Sequence, residues 1–199
     1  EFRRRVGRVD PRLRADCRHF PGDRPCRVHK ADGRACEGCG EYAPVRERVL
    51  IVKLDALGDV LRTTAILPLI ARRWPDATIT WLTRPEAVPL LQENPYLHDI
   101  WPLGPASLAR LLLEEFDLVL GLDPAKEAAA LASLARGRER RGFGLGPDGQ
   151  VRPVHPAAER WFGLGASDPQ KRAHRETYQR HLARLAGLPP AGARIVLTL

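Results

Sequence analysis

The sequence predicts an α/β fold, a Rossmann-like parallel sheet flanked by helices, and three observations lead there. Short apolar, β-branched runs of the kind that fill buried parallel strands recur through residues 47–190. Segments of helical periodicity separate them at a regular pitch, as in successive β-loop-α units. The 199 residues are 44% hydrophobic and 28% charged with a mean hydropathy of −0.30, the composition of a soluble globular chain long enough to bury a core.

The first strand is read at Val49-Leu-Ile-Val-Lys-Leu54, followed by the turn Asp55-Ala-Leu-Gly58 and a helical pattern from Asp59 to Trp74. A second strand, Thr78 to Thr83, follows the loop at Pro75-Asp76, and a short helix over Glu86–Glu93 closes at Asn94-Pro95. The alternation continues with a strand at Asp99–Pro102, a helix at Ala106–Glu115, a strand at Phe116–Leu122 and an Ala-rich, tightly packed helix at Ala125–Leu134. A short strand follows near Arg141–Leu145, then helices at Pro156–Phe162 and Gln170–Ala186. In the second of these, Tyr178, Leu182 and Leu185 form a packing stripe. After the turn signal Leu188-Pro-Pro-Ala-Gly192, the run Ala193 to Leu199 reads as an opening strand.

Residues 1–16 form a basic segment. The formal net charge of the chain is +8, of which residues 1–48 contribute +5 (13 Lys/Arg against 8 Asp/Glu). Arg3, Arg4, Arg5, Arg8, Arg12 and Arg14 could meet phosphates, although a short basic terminus is more often a solvated tail. No apolar run approaches the roughly 18 residues that span a bilayer, and no secretory signal is present, so a cytoplasmic location is expected.

Residues 17–46 hold all four cysteines: Cys17, Cys26, Cys36 and Cys39, spaced C-x8-C-x9-C-x2-C. Four thiolates would close a tetrahedral coordination sphere, so a structural zinc is expected, with an Fe–S cluster or free thiols as alternatives. A reducing cytosol disfavours disulfides. The segment has few apolar residues of its own, so cross-linking must replace packing. His19 and His29 are read as bystanders.

In an open parallel sheet, chemistry gathers where strands end and helices begin. Lys53 ends the first strand, Gly58 allows close backbone approach, and Asp59 stands at the helix start, where a carboxylate is favoured by the helix dipole and could equally be an N-cap. Gly142-Phe-Gly-Leu-Gly146 lacks the G-x-G-x-x-G spacing of a dinucleotide loop.

The stretch Val49 to Pro68, containing Lys-Leu-Asp-Ala-Leu-Gly-Asp-Val, followed by Trp74 to Leu82, resembles the N-terminal part of glycosyltransferase family 9, the ADP-heptose:lipopolysaccharide heptosyltransferases and their relatives. Asn94-Pro95-Tyr96 and Phe116 to Asp123 fit the same pattern, and the resemblance covers residues 47–187. It implies a GT-B architecture. Residues 47–190 would form the acceptor domain, and residues 191–199 would begin a truncated donor domain that binds an ADP-heptose-like nucleotide sugar. It also implies that Asp59 is the catalytic base of an inverting transfer and that Asp55, Ala56 and Gly58 line the acceptor pocket. Lys53 and Arg62 would contact an anionic, lipid-linked saccharide at the inner face of the cytoplasmic membrane. Where family members often carry small hydroxyl residues in this turn, Asp55 and Ala56 stand here.

There is no Met and the first residue is Glu1, so the chain reads as a piece of a longer protein, and these residues alone are expected not to transfer sugar. Two other classes compete with this reading: a metal-knuckle nucleic-acid binder, which lacks interleaved aromatics, and an Fe–S redox protein on a Rossmann-like fold.

Overall fold

The structure, a computed structural model, describes residues 10–198. Arg3, Arg4, Arg5 and Arg8 of the basic segment, and Leu199, lie outside the described residues. The chain divides into two compact units, Glu1–Arg46 and Glu47–Leu199.

The larger unit is built on a six-stranded sheet: β1 (Glu47–Val52), β2 (Ala77–Thr83), β3 (Asp99–Pro102), β4 (Glu115–Gly121), β5 (Arg136–Leu145) and β6 (Val151–Pro153). The strand order is β3-β2-β1-β4-β5-β6. The first five pair in parallel and β6 runs antiparallel to β5. Val49 to Val52 of the central β1 are all 1% exposed or less, as expected for a strand covered on both faces. One apolar layer holds Val49, Ile51, Ile66, Ile70, Trp81 and Leu182; the other holds Leu50, Val52, Leu82, Phe116 and Leu131. The alternation along β1 thus feeds two cores, one on each face.

Three helical expectations change. The pattern over Asp59–Trp74 is α2 (Leu57–Thr63), a 3-10 turn (Thr64–Ile66) and α3 (Leu67–Arg73). Pro68 has no N–H to donate and its ring crowds the carbonyl four residues back, so the helix tightens and restarts there. Gln170–Ala186 is also not one helix: α7 (Asp168–Ala173) stops before an irregular His174–Thr177, and α8 (Tyr178–Leu185) starts afresh. Thr177 caps α8, its hydroxyl accepting the Arg180 N–H at 3.4 Å. The helix expected over Glu86–Glu93 is a 3-10 helix over Pro85–Leu90 with Pro89 inside it, and residues 91–93 form a turn.

α4 (Pro105–Leu113), α5 (Lys126–Leu134) and α6 (Pro156–Gly165) lie where helices were expected. Ala128, Ala129 and Ala132 of α5 are buried, the close packing its composition implied. The Arg141–Leu145 strand begins five residues earlier, at Arg136. The charged run that obscures it in the sequence faces outward and pairs with β4, Arg136 with Glu115 at 2.8 Å and Arg138 with Asp117 at 3.2 Å. Ala193–Leu199 forms no strand among its described residues. No strand pairs with it; the Val196 N–H donates to the Thr64 hydroxyl at 2.9 Å, and its carbonyl accepts from Asn94 at 3.4 Å.

Gly142 explains its run without a phosphate. Its φ is +91°, and a Cβ there would stand 2.0 Å from the Gly121 carbonyl oxygen across the β4–β5 pair. The glycine allows two backbones to meet.

The smaller unit, described from Asp10, holds α1 (Arg27–Asp32) and an antiparallel bridge between Cys17 and Pro44. Cys26 caps α1, its sulfur accepting the His29 N–H at 3.4 Å, and Gly33 ends it with φ +72°. No described residue from 10 to 46 is buried. Among the described residues, no helix is long and apolar enough to cross a membrane.

Candidate functional site

β1 and β4 are neighbours whose onward connections leave in opposite directions, to β2 on one side and β5 on the other. A crevice opens at the carboxyl ends of such a pair, the place where open α/β sheets hold ligands. Here it is a cavity of about 570 Å³. Its floor is the end of β1 and β4, and its far wall comes from α6, the end of α7 and the start of α8.

The floor carries a buried ion pair. Lys53 and Asp123 are 3% and 5% exposed, and Lys53 Nζ donates to Asp123 Oδ2 at 3.2 Å. The same carboxylate accepts the backbone N–H of Asp55 at 3.2 Å and of Ala125 at 3.1 Å, so it pins both loops. The Lys53 carbonyl accepts from Trp81 Nε1 at 3.2 Å. The Lys53 ammonium, expected to meet an anionic acceptor, lines the cavity but is engaged by Asp123.

The turn over residues 55–58 is exposed and forms the near rim. The Asp55–Ala56 peptide is cis. Ala56, not Asp59, is the N-cap of α2, with no side-chain hydrogen bond to the helix. The Asp55 carboxylate turns outward to Arg84 at 2.8 Å, and Arg84 also holds Glu127 at 2.6 Å; these two partners raise the Arg84 pKa. A Cβ on Gly58 would meet no atom within 4 Å, so the space beside that backbone is open.

Asp59 lies in the first turn of α2, its N–H bonded to the Ala56 carbonyl at 2.8 Å and its side chain half-exposed to the cavity. Its carboxylate pairs with Arg62 one turn on. The Arg62 guanidinium in turn lies 4.3 Å over the Tyr178 ring, a cation–π contact. Burial pushes the Tyr178 pKa up to about 12. Of the sequence-predicted residues, Lys53, Asp55, Ala56, Asp59 and Arg62 line one cavity, and Gly58 sits in the turn between them.

The far wall was not foreseen. Trp161 packs edge-on against Tyr178 at 5.1 Å and against His181 at 4.8 Å between ring centroids. His181, 7% exposed, faces His174 and Glu176. Burial lowers the His181 pKa more than Glu176 raises it. Reading residues 170–186 as one helix concealed this group; Thr177, a capping residue type ahead of an apolar stripe, was the signal for the break.

In the smaller unit, Cys17, Cys26, Cys36 and Cys39 line a single cavity of about 360 Å³, and none forms a disulfide. Four thiols free of one another are a donor set that suits zinc or iron. Among the described residues, only His174, Glu176 and His181 bring three such ligand atoms within 4.8 Å of one another, so the four sulfurs ring their cavity without converging. His29 bonds elsewhere, its Nδ1 to the Arg34 carbonyl at 2.9 Å.

No family model matches the sequence, and no curated protein does. Among solved structures, the chain is similar to a glycosyl transferase family 9 protein from Veillonella parvula DSM 2008, at 20% identity and TM-score 0.45 over 50% of this chain and 33% of that one. It is similar to the E. coli heptosyltransferase WaaC with ADP, at 21% identity and TM-score 0.48 over 76% and 49% of the two chains. The E. coli ADP-heptose lps heptosyltransferase II follows at 21% identity and TM-score 0.35 over 44% and 27%. The chain therefore spans a third to a half of the length of the first two.

Proposed function

We propose that residues 47–190 are the acceptor domain of an inverting glycosyltransferase of the family 9 type and that residues 191–199 begin its donor domain. The observation that carries this reading is the position of Asp59, a carboxylate in the first helical turn after β1, half-exposed in the crevice at the switch point of the sheet. It stands where the resemblance to family 9 puts a base.

In this reading an acceptor hydroxyl lies in the cavity and Asp59 takes its proton. The freed oxygen pair attacks the anomeric carbon of a nucleotide-linked sugar. The bond from that carbon to the diphosphate oxygen breaks on the opposite face, and the nucleoside diphosphate leaves with the electron pair. Arg62, clamped between Asp59 and the Tyr178 ring, holds the carboxylate in place and offers positive charge to an anionic acceptor. Lys53 and Asp123 support the floor. The donor, ADP-heptose or a related nucleotide sugar, would be held outside these residues. The acceptor would be a lipid-linked, anionic saccharide met at the inner face of the cytoplasmic membrane, and the chain by itself would be inactive.

The smaller unit is proposed as a structural knuckle in which Cys17, Cys26, Cys36 and Cys39 hold zinc, with an Fe–S cluster as the alternative. Their shared cavity and the absence of buried residues among the described ones around them support this, and the sulfurs would have to draw inward from their present positions to meet one ion.

Assay of the full-length protein on nucleotide sugars with lipid A-type acceptors tests the enzyme reading. Asp59→Asn is expected to lower turnover by about 10²–10⁴, the usual range for removing a general base. Undiminished transfer would remove Asp59 from the mechanism. Absence of transfer from any donor, together with bound iron or nucleic acid, would favour the two other classes.

A further inference from the structure

A second cluster in the same crevice has the chemistry of a cation site. His174 lies just after α7, Glu176 two residues on, and His181 on the first turn of α8. Their ligand atoms all lie within 4.8 Å of one another. His181 Nε2 stands 3.5 Å from Glu176 Oε2 and directly faces His174 Nε2.

Two imidazole nitrogens aimed at each other repel through their lone pairs unless a proton or a cation lies between them. The group is fixed from outside: Trp161 packs edge-on against His181, and Arg184 donates to Glu176 Oε2 at 2.7 Å. A carboxylate steadied by such an outer partner is common around bound metals. Glu176 and His181 side chains are only 11% and 8% exposed.

We propose that His174, Glu176 and His181 bind one Zn²⁺-class divalent cation, with a fourth position open toward the cavity that also holds Asp59. Two imidazoles and a carboxylate are a borderline donor set that suits zinc and its first-row neighbours, and three protein ligands with one open position are the pattern of a working site, not a closed structural one. In tetrahedral zinc with bonds of about 2.0–2.1 Å, ligand atoms stand roughly 3.3 Å apart. The 3.5 Å separation of His181 and Glu176 already matches this spacing. The two histidines must open slightly, and His174 can swing because residues 174–177 are irregular. The open position is suited to an anionic oxygen, of phosphate or carboxylate type, on a molecule held in the crevice. The site does not depend on the transferase reading.

The test is metal binding by the purified full chain, stripped with a chelator and titrated with Zn²⁺ and with Co²⁺ as a spectroscopic probe. Cobalt on thiolates shows sulfur-to-metal charge-transfer bands, and cobalt on imidazole and carboxylate does not, so the cysteine unit and this site are read separately. One equivalent of sulfur-free cobalt is expected. His174→Ala and Glu176→Gln should each abolish it or weaken zinc binding at that equivalent by more than the roughly 10–100-fold that follows loss of an outer-shell partner. Cys36→Ser should leave it unchanged. Competition by inorganic phosphate, seen as a shift of the sulfur-free bands, would report the open position. Equal stoichiometry and affinity in wild type and both variants would overturn the proposal, as would a spectrum made only of sulfur-bound cobalt. His174 is half-exposed beyond a helix end, so its replacement should leave the metal-free thermal midpoint in place; if it does not, Glu176→Gln decides.

Discussion

The two units of this chain solve the problem of staying folded by opposite means. From Glu47 onward, β1 is sealed on both faces, and its alternate side chains anchor two apolar clusters. From Asp10 to Arg46, no described residue is buried, and order comes from turns, one six-residue helix and a backbone bridge at Cys17. Apolar burial of about 25 cal/mol per Å² can hold the first unit but has almost nothing to act on in the second. All four cysteines sit in the unit without a core, where the proposed metal cross-link would replace packing.

The largest expected effect separates the units outright. Chelator treatment should open residues 10–46 to limited proteolysis while the far-ultraviolet spectrum of the α/β unit stays unchanged, because structural zinc contributes on the order of 10 kcal/mol to small knuckles. Resistance of residues 10–46 to a protease after verified metal removal would show that something other than metal orders them.

Next is the buried ion pair, which has no counterpart among the described residues of the smaller unit. Asp123→Ala leaves Lys53 charged and buried and frees two loop N–H groups, so urea unfolding of the α/β unit should lose about 3–5 kcal/mol. A cost below 1 kcal/mol would mean that water replaces the carboxylate.

Glycines sharpen the contrast further. Gly142→Ala meets both a positive φ and the Gly121 carbonyl, and should cost at least the roughly 1–3 kcal/mol of a strained backbone. Gly33→Ala meets positive φ alone, with no atom within 4 Å, and should cost only the roughly 1–2 kcal/mol of a left-handed residue in the smaller unit. Equal losses at the two sites would show that the β4–β5 contact relaxes.

The smallest effect is in pH. Tyr178 has a folded pKa of about 12 against a usual 10.0, raised chiefly by burial. The folded state therefore holds the proton more tightly than the unfolded chain, and this contribution is complete below pH 10 and lost as pH rises toward 12. Tyr178→Phe should flatten the stability profile in that window and leave neutral pH unaffected. In an ultraviolet titration, Tyr178 should ionise in that raised range and shift down on unfolding.

Much of the fold is legible along the chain because its causes are local. Buried parallel strands are written as runs such as Val49 to Val52, and the close-packed α5 as Ala128, Ala129 and Ala132 on one face. The near rim of the site, from Lys53 to Arg62, is legible for the same reason: it is one contiguous strand-turn-helix. What misleads is the local pattern whose outcome depends on a remote partner. Arg136 to Arg140 carries no apolar strand pattern, and the strand becomes legible only when the acidic residues of β4 are placed beside it. Ala193 to Leu199 reads as a strand, yet among its described residues Val196 bonds the side chains of Thr64 and Asn94 in place of a neighbouring strand.

The sequence by itself determined the alternation of strands and helices, the grouping of the four cysteines, and the carboxylate in the first turn of the helix after β1. These follow from periodicity and spacing within a few residues. Only the tertiary structure decided that Lys53 spends its charge on Asp123, seventy positions away, and that a break at residues 174–177 turns a helical stripe into two histidines and a glutamate facing Asp59 across one cavity. Ion pairing and ligand geometry depend on distance through space, and the chain sets that distance only after the sheet has chosen its strand order.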